Sequence, residues 1–205
     1  MLINALITLV IYAGSPITGN QAFPVAERID VVDETREDYV RYRLPVGGSR
    51  VTAGQAEALI DASSDEVLRV LRGYDGYKEF LPFFTYSKSG ALVEGATELR
   101  LKAKIIGGTV ELDVRVKARE TPLADGGTAI DLEFVRGNVE RFDARFRVYS
   151  IGPNRTFLVF YLMIDPDLWF ARNKTLSEYN WVNCGRAVRA LRDQVLKGLV
   201  PVPSE

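Results

Sequence analysis

The chain has 205 residues, 47% of them hydrophobic and 26% charged, with a formal net charge of −1. That length suits one domain with a leader and can bury a sizeable core, while the balanced charge lacks the basic excess of a nucleic-acid binder. Histidine is absent and cysteine occurs once, which excludes an intramolecular disulfide, a Ser–His–Asp triad, a Cys–His pair and a histidine-based zinc site. Any catalysis would fall to Asp, Glu, Tyr, Lys, Arg or water. Cys184 reads as a small helix-packing residue.

Residues 2–13 are nearly all apolar, interrupted only by Asn4 and Thr8. The run is shorter than the ~20 residues a membrane-spanning helix needs. It has the length of a signal-peptide core, and small residues follow between Gly14 and Ala22. The segment before the run carries no Lys or Arg, only the terminal amine. Residues 1–22 therefore read as a signal peptide, and the protein as periplasmic or secreted. An uncleaved tether and a buried N-terminal helix are the alternatives.

Residues 23–48 form an extension. It is charged at first, then alternates, with Val40, Tyr42 and Leu44 opposite Arg41 and Arg43. That pattern predicts an extra edge strand, or the first half of a long first strand. Residues 49–62 read as a further strand rich in small residues.

Residues 61–84, DASSDEVLRVLRGYDGYKEFLPFF, follow. Ser63 and Glu66 form a capping box, and Asp65 and Glu66 complement the helix dipole. Val67, Leu68, Val70 and Leu71 give the helix an apolar stripe, and Gly73 ends it as a left-handed cap would. Tyr74, Tyr77, Phe80, Leu81, Phe83 and Phe84 then crowd into eleven positions. So dense a group predicts a flap over an apolar space.

Strands are expected at 85–93, 97–106, 109–120, 129–135, 139–150 and 156–164. In the middle four, apolar residues alternate strictly with charged ones, so each has one dry face. Gly107–Gly108 and Gly137–Asn138 are hairpin signals. The run 156–164 is apolar throughout and reads as covered on both faces. Residues 168–177, with Trp169 and Phe170, read as a loop. From 178 to about 199, Cys184, Val188, Leu191, Val195 and Leu199 form one helical stripe. Arg186, Arg189, Arg192, Asp193 and Lys197 lie off it.

Consecutive hairpins with one dry face need a cover, and the covers available are the two short helices and the final one. One rod on a wide twisted sheet leaves concave space. The alternative is a core filled by the protein's own side chains.

The same stretch, 61–84 with Ser87, resembles the opening of START-like domains. That superfamily (SRPBCC) includes Bet v 1, polyketide cyclase/dehydrase-like proteins and the coenzyme Q-binding Coq10-like branch. The matching pieces are 60–62, 65–71, Tyr74–Asp75–Gly76–Tyr77, Glu79–Phe80–Leu81–Pro82 and Ser87. Leu68 stands where many relatives have Trp, and Gly73 where Asp is usual. The resemblance covers about 49–200, with 201–205 a tail. It implies an α+β helix-grip fold, a curved antiparallel sheet around a long C-terminal helix with a cavity between. It also implies a bacterial protein, in which the sequons at Asn154 and Asn173 carry nothing.

Three functions follow as expectations. The first is a non-enzymatic carrier of a lipid, isoprenoid or quinone, bound by apolar burial worth about 25 cal/mol per Å². Its gate would be Tyr77, Phe80, Leu81 and Phe84, and its wall Leu101, Leu112, Phe134, Phe146 and Phe160. Trp181 and Val188 would face it from the helix. Core packing is the competing role for each. The second is an aromatase/cyclase-like enzyme. Asp131 and Glu133 lie on the wet phase and suit it poorly; Tyr161 and Arg136 suit it better. The third is a module whose flap aromatics meet a membrane or a protein. No residue is assigned to catalysis or to a metal, no cofactor is implied, and Asp165 and Asp167 read as turn residues. For the leader, N-terminal sequencing of exported protein is expected to begin near Phe23; an intact Met1 in a soluble cytosolic fraction would contradict export.

Overall fold

The computed structural model describes residues 38–166 and 173–199. The leader, the connector up to residue 37, Asp167, Trp169, Phe170 and the tail lie outside them. The described strands are β1 (Val40–Leu44), β2 (Ala53–Ile60), β3 (Phe84–Val93), β4 (Ala96–Ile105), β5 (Val110–Pro122), β6 (Thr128–Gly137), β7 (Arg141–Gly152) and β8 (Arg155–Asp165). They form one antiparallel sheet in the order β1-β2-β8-β7-β6-β5-β4-β3. The described helices are α1 (Ser64–Arg72), α2 (Tyr77–Phe80) and α3 (Asn173–Leu199). After β2 the chain crosses to the far edge through α1 and α2. It then returns strand by strand until β8 pairs with β2.

The period-two pattern decides which face is buried. Leu99, Leu101, Ala103 and Ile105 of β4 join Leu112, Val114, Val116 and Ala118 of β5 in one core. Strand β8 has two dry faces, as its unbroken apolar run requires. Leu158, Phe160, Leu162 and Ile164 enter the main core, while Phe157 and Val159 pack with Tyr149 on the outer face.

Helix α3 lies on β1, β2 and β8. Cys184, Val188, Leu191 and Val195 are fully buried along its stripe, and burial pushes the Cys184 thiol well up from its ordinary range. The helix comes very close to β2. A Cβ on Gly54 would stand 2.4 Å from the Asn180 carbonyl oxygen. Ladder pairing of β2 with β8 ends at Gly54 and Leu162. There the Asn180 side chain supplies the next rung. Its Oδ1 accepts from the Ile164 N–H (3.2 Å), and its Nδ2 donates to the carbonyls of Thr52 (3.0 Å) and Ile164 (3.2 Å).

Four sequence expectations need correction. Helix α3 begins at Asn173, not near 178, because Leu176 and Ser177 are buried and the Thr52 N–H donates to the Ser177 hydroxyl. Gly73 has φ −75° and is not left-handed; its N–H donates to the Val70 carbonyl. The β4–β5 connection is longer than two residues, since Ile105 pairs with Val110, and Ile106, Gly107 and Gly108 all have positive φ. Gly137–Asn138 does not make a tight hairpin. The Asn138 side chain accepts from the Asp113 N–H and donates to the Glu111 carbonyl of β5. Pairing of β6 with β7 stops at Glu133 and Asp143, and the two strands fork beyond it.

Asn180→Ala should lower stability by about 3 kcal/mol, since it strands several buried backbone groups. Urea denaturation checks this; a loss under about 0.5 kcal/mol, the range of an ordinary surface change, would contradict the rung.

Candidate ligand site under an aromatic flap

The flap is built from its cap outward. The Ser63 N–H donates to the Glu66 carboxylate (2.8 Å), and the Glu66 N–H faces the Ser63 hydroxyl (3.4 Å). The hydrogen bond from Ser63 holds the Glu66 carboxyl below its ordinary value. Val67, Leu68 and Leu71 bury the inner face of α1. Residues Tyr74–Gly76 make one 3-10 turn, and α2 carries the aromatics onward.

Polar bonds fix the flap at its β3 end. The Ser87 hydroxyl accepts from the Lys78 N–H (3.1 Å) and donates to the Asp75 carbonyl (2.9 Å). The Asp75 carboxylate accepts from Lys88 Nζ (2.8 Å) and from the Ser89 N–H. The Lys104 N–H donates to the Phe83 carbonyl (3.2 Å), tying the flap to β4. Inside, the Tyr77 hydroxyl donates to the Leu71 carbonyl (2.6 Å). Burial drives the Tyr77 pKa well above that of an exposed phenol, so the ring stays neutral.

Beneath the flap lies a void lined by fifteen side chains. Tyr77, Leu81, Phe83 and Phe84 come from the flap. Leu101, Ala103, Leu112, Val114, Leu132, Phe142, Ala144, Phe146, Phe160, Leu162 and Ile164 come from β4 to β8. Phe146 and Phe160 stack at 4.3 Å. Room for the centre of a water-sized sphere amounts to about 20 Å³, enough for little more than one water. The space directly beneath the flap is therefore nearly closed among the described residues. The flap does not merely cover the space; Leu81, Phe83 and Phe84 fold into it.

The void is bounded by the flap and the sheet. None of its lining comes from α3. The small residues Gly54, Ala56 and Ala58 of β2 let that helix rest directly on the sheet, and this void lies between flap and sheet. Of the sequence-predicted residues, Tyr77, Leu81, Phe84, Leu101, Leu112, Phe146 and Phe160 meet there. Phe80 packs edge-on against Tyr77 at 5.8 Å, outside the void. Phe134 stands at the β6–β7 fork, on an outer groove. Val188 is core packing. Trp181 is half-buried at the sheet edge, with the guanidiniums of Arg41 (3.8 Å) and Arg43 (4.5 Å) over its ring. The helical stripe aimed it inward, but β1 draws it aside.

Phe83, Ala103, Val114, Leu132, Phe142 and Ala144 were missed as site residues. The strand members share the dry phase of residues already chosen, so alternation alone could have found them. Leu162 and Ile164 carried no such signal, because β8 is apolar on both phases.

The candidate catalytic groups do not reach the void. Tyr161 faces the outer groove, with Arg145 over its ring at 5.5 Å, and burial pushes its pKa up to about 12. Asp131 pairs with Arg147 at 2.7 Å, and Glu133 lies 3.7 Å from Arg119. Arg136 is exposed. Among the described residues no group of three acidic or thiol side chains comes together that could hold a metal ion.

An antiparallel sheet gripping one long C-terminal helix, with two short helices after the second strand, is the START-like helix-grip fold. Solved structures agree. A STAR-related lipid transfer protein from Xanthomonas axonopodis superposes with a TM-score of 0.69 at 15% identity, over 78% of this chain and 94% of that one. Human STARD10 gives 0.66 at 14%, over 79% and 71%. The Zhui aromatase/cyclase from Streptomyces sp. R1128 gives 0.55 at 14%, over 75% and 98%. No family model matches the sequence, and no curated protein matches it significantly.

The Asp75 clamp makes the flap acid-sensitive. Hydrogen bonds from Lys88 and Ser89 hold the Asp75 carboxyl far below its ordinary 3.8. Its contribution is therefore complete above about pH 4 and is lost as pH falls further. Hydrogen-exchange protection of residues 74–84, corrected for the intrinsic exchange rate, should hold from about pH 6 to pH 4 and drop between about pH 4 and pH 2. In Asp75→Asn the flap should already be loose at pH 6 and change little. An unchanged profile in that variant would contradict the clamp.

Proposed function

We propose that the protein binds an apolar small molecule beneath the flap and carries it without chemical change. The observation behind this reading is the lining. Tyr77 supplies its sole titratable side chain, and that hydroxyl is already committed to a backbone carbonyl. A site built for acid–base chemistry needs a group within reach of the reacting atoms, and this lining provides none. The likeness to a lipid transfer protein and to STARD10 is consistent with a carrier. The likeness to an aromatase/cyclase carries the fold without the groups.

A guest of ordinary size needs the flap side chains to leave. Each aromatic ring buries ~150–250 Å², which is on the order of 4–6 kcal/mol at 25 cal/mol per Å². Uptake is thus an exchange of one apolar filling for another. The exchange costs least where the displaced rings can lie in lipid, so loading at a membrane surface fits the same reading. A lipid, an isoprenoid or a quinone would each satisfy the lining. The closed interior favours a second reading, a packed domain that works through its surface alone.

One experiment separates the two. Purified full-length protein is analysed by native mass spectrometry and organic extraction, then titrated with an apolar fluorescent probe. The carrier reading predicts a bound apolar molecule or a micromolar probe site. Ala144→Leu, which overfills the void, should weaken that site at least ~10-fold, or about 1.4 kcal/mol, while the fold is retained. Protein that emerges empty and takes no probe would leave only the surface reading.

A further inference from the structure

Next to the closed void is a second space. A pocket of about 360 Å³ opens between the flap, the β4–β5 turn and the first turns of α3. Phe83 lines both this pocket and the void, so one ring forms the partition between them. The outer pocket is unlike the inner one. Lys104 and Arg186 border it, and Tyr179 and Asn183 face it from α3.

The charges there are unevenly committed. Lys102, two residues away on β4, pairs with Glu111 and Asp113. The carboxylate that borders the pocket, Glu178, is taken by Arg43. Lys104 and Arg186 have no ion-pair or side-chain hydrogen-bond partner among the described residues, and both are exposed. The Tyr179 hydroxyl is shielded from solvent and has no hydrogen-bond partner among the described residues. A ligand acceptor would satisfy that hydroxyl. Two uncommitted cations and one free donor suit an anion.

Resting on the carrier reading, we infer that the ligand is a single-chain amphiphile with an anionic headgroup. The head, a carboxylate or a phosphate, sits between Lys104 and Arg186, and it reaches the shielded Tyr179 hydroxyl only once Phe83 has turned aside. The apolar tail passes Phe83 into the space beneath the flap. The ring must turn aside for the tail, so the partition doubles as the gate.

The test uses the full chain and three probes of equal chain length: oleate, oleoyl lysophosphatidate and uncharged 1-monoolein. Wild type should bind at least one anionic probe ~10-fold more tightly than monoolein, and that preference should shrink between 50 and 500 mM NaCl. The better anion identifies the headgroup. Lys104→Ala/Arg186→Ala should bring the anions down to the level of monoolein and leave monoolein unchanged. Tyr179→Phe should weaken the preferred anion about threefold. Lys197→Ala, an exposed cation elsewhere on α3, should change nothing. Equal binding of all three probes, or a preference that survives the double substitution, overturns the inference and leaves the carrier reading intact. Failure of all three to bind overturns the inference, and the carrier reading falls with it only if the extraction and apolar-probe titration above are also empty.

Discussion

The fold depends on how closely one helix can lie on one strand. Gly54 has no side chain because the Asn180 and Trp181 backbone occupies that place, and Ala56 and Ala58 keep the rest of the contact thin. Asn180 then bridges β2 and β8 where their ladder has ended. Removing a rung in a buried setting is costly because the freed N–H and C=O find no water. The helix therefore has one seat, over β1, β2 and β8, and its stripe is consumed by that contact.

The other half of the sheet needs a different cover. Strands β4 to β7 also present a dry face, and α3 does not reach it. The flap supplies the missing apolar mass with rings mounted on a short helix. This division of labour explains why the structure is both closed and suited to opening. Side chains on α3 are held by a long rod and a buried polar rung. Those on the flap are held by α2, four residues long, and by exposed bonds at Asp75 and Lys88. The proposed uptake therefore asks the flap, and not the long helix, to move.

Much of this was legible in the sequence. Leu99, Leu101, Leu112 and Phe146 announced their face by strict alternation, and Ser63 with Glu66 announced the start of α1. The aromatic cluster after Gly73 announced a cover. What was not legible had tertiary causes. Trp181 shares a helical face with Val188, yet the arginines of β1 stack on it at the sheet edge. Phe134 keeps the inward phase of its strand, but β6 parts from β7 just before it. The unbroken apolar run of β8 hid which residues faced the void. The seat of α3 was not legible either, since small residues in β2 read as a weak strand signal and not as room for a close helix.

The central proposal is that the apolar part of the ligand is housed under the flap and not along the buried stripe of the long helix. Hydrogen exchange with and without a saturating apolar probe tests it directly. The account predicts that protection changes across residues 77–84 and stays constant across β2 and residues 188–195 of α3. A change confined to α3 and β2, with the flap unaffected, would contradict it.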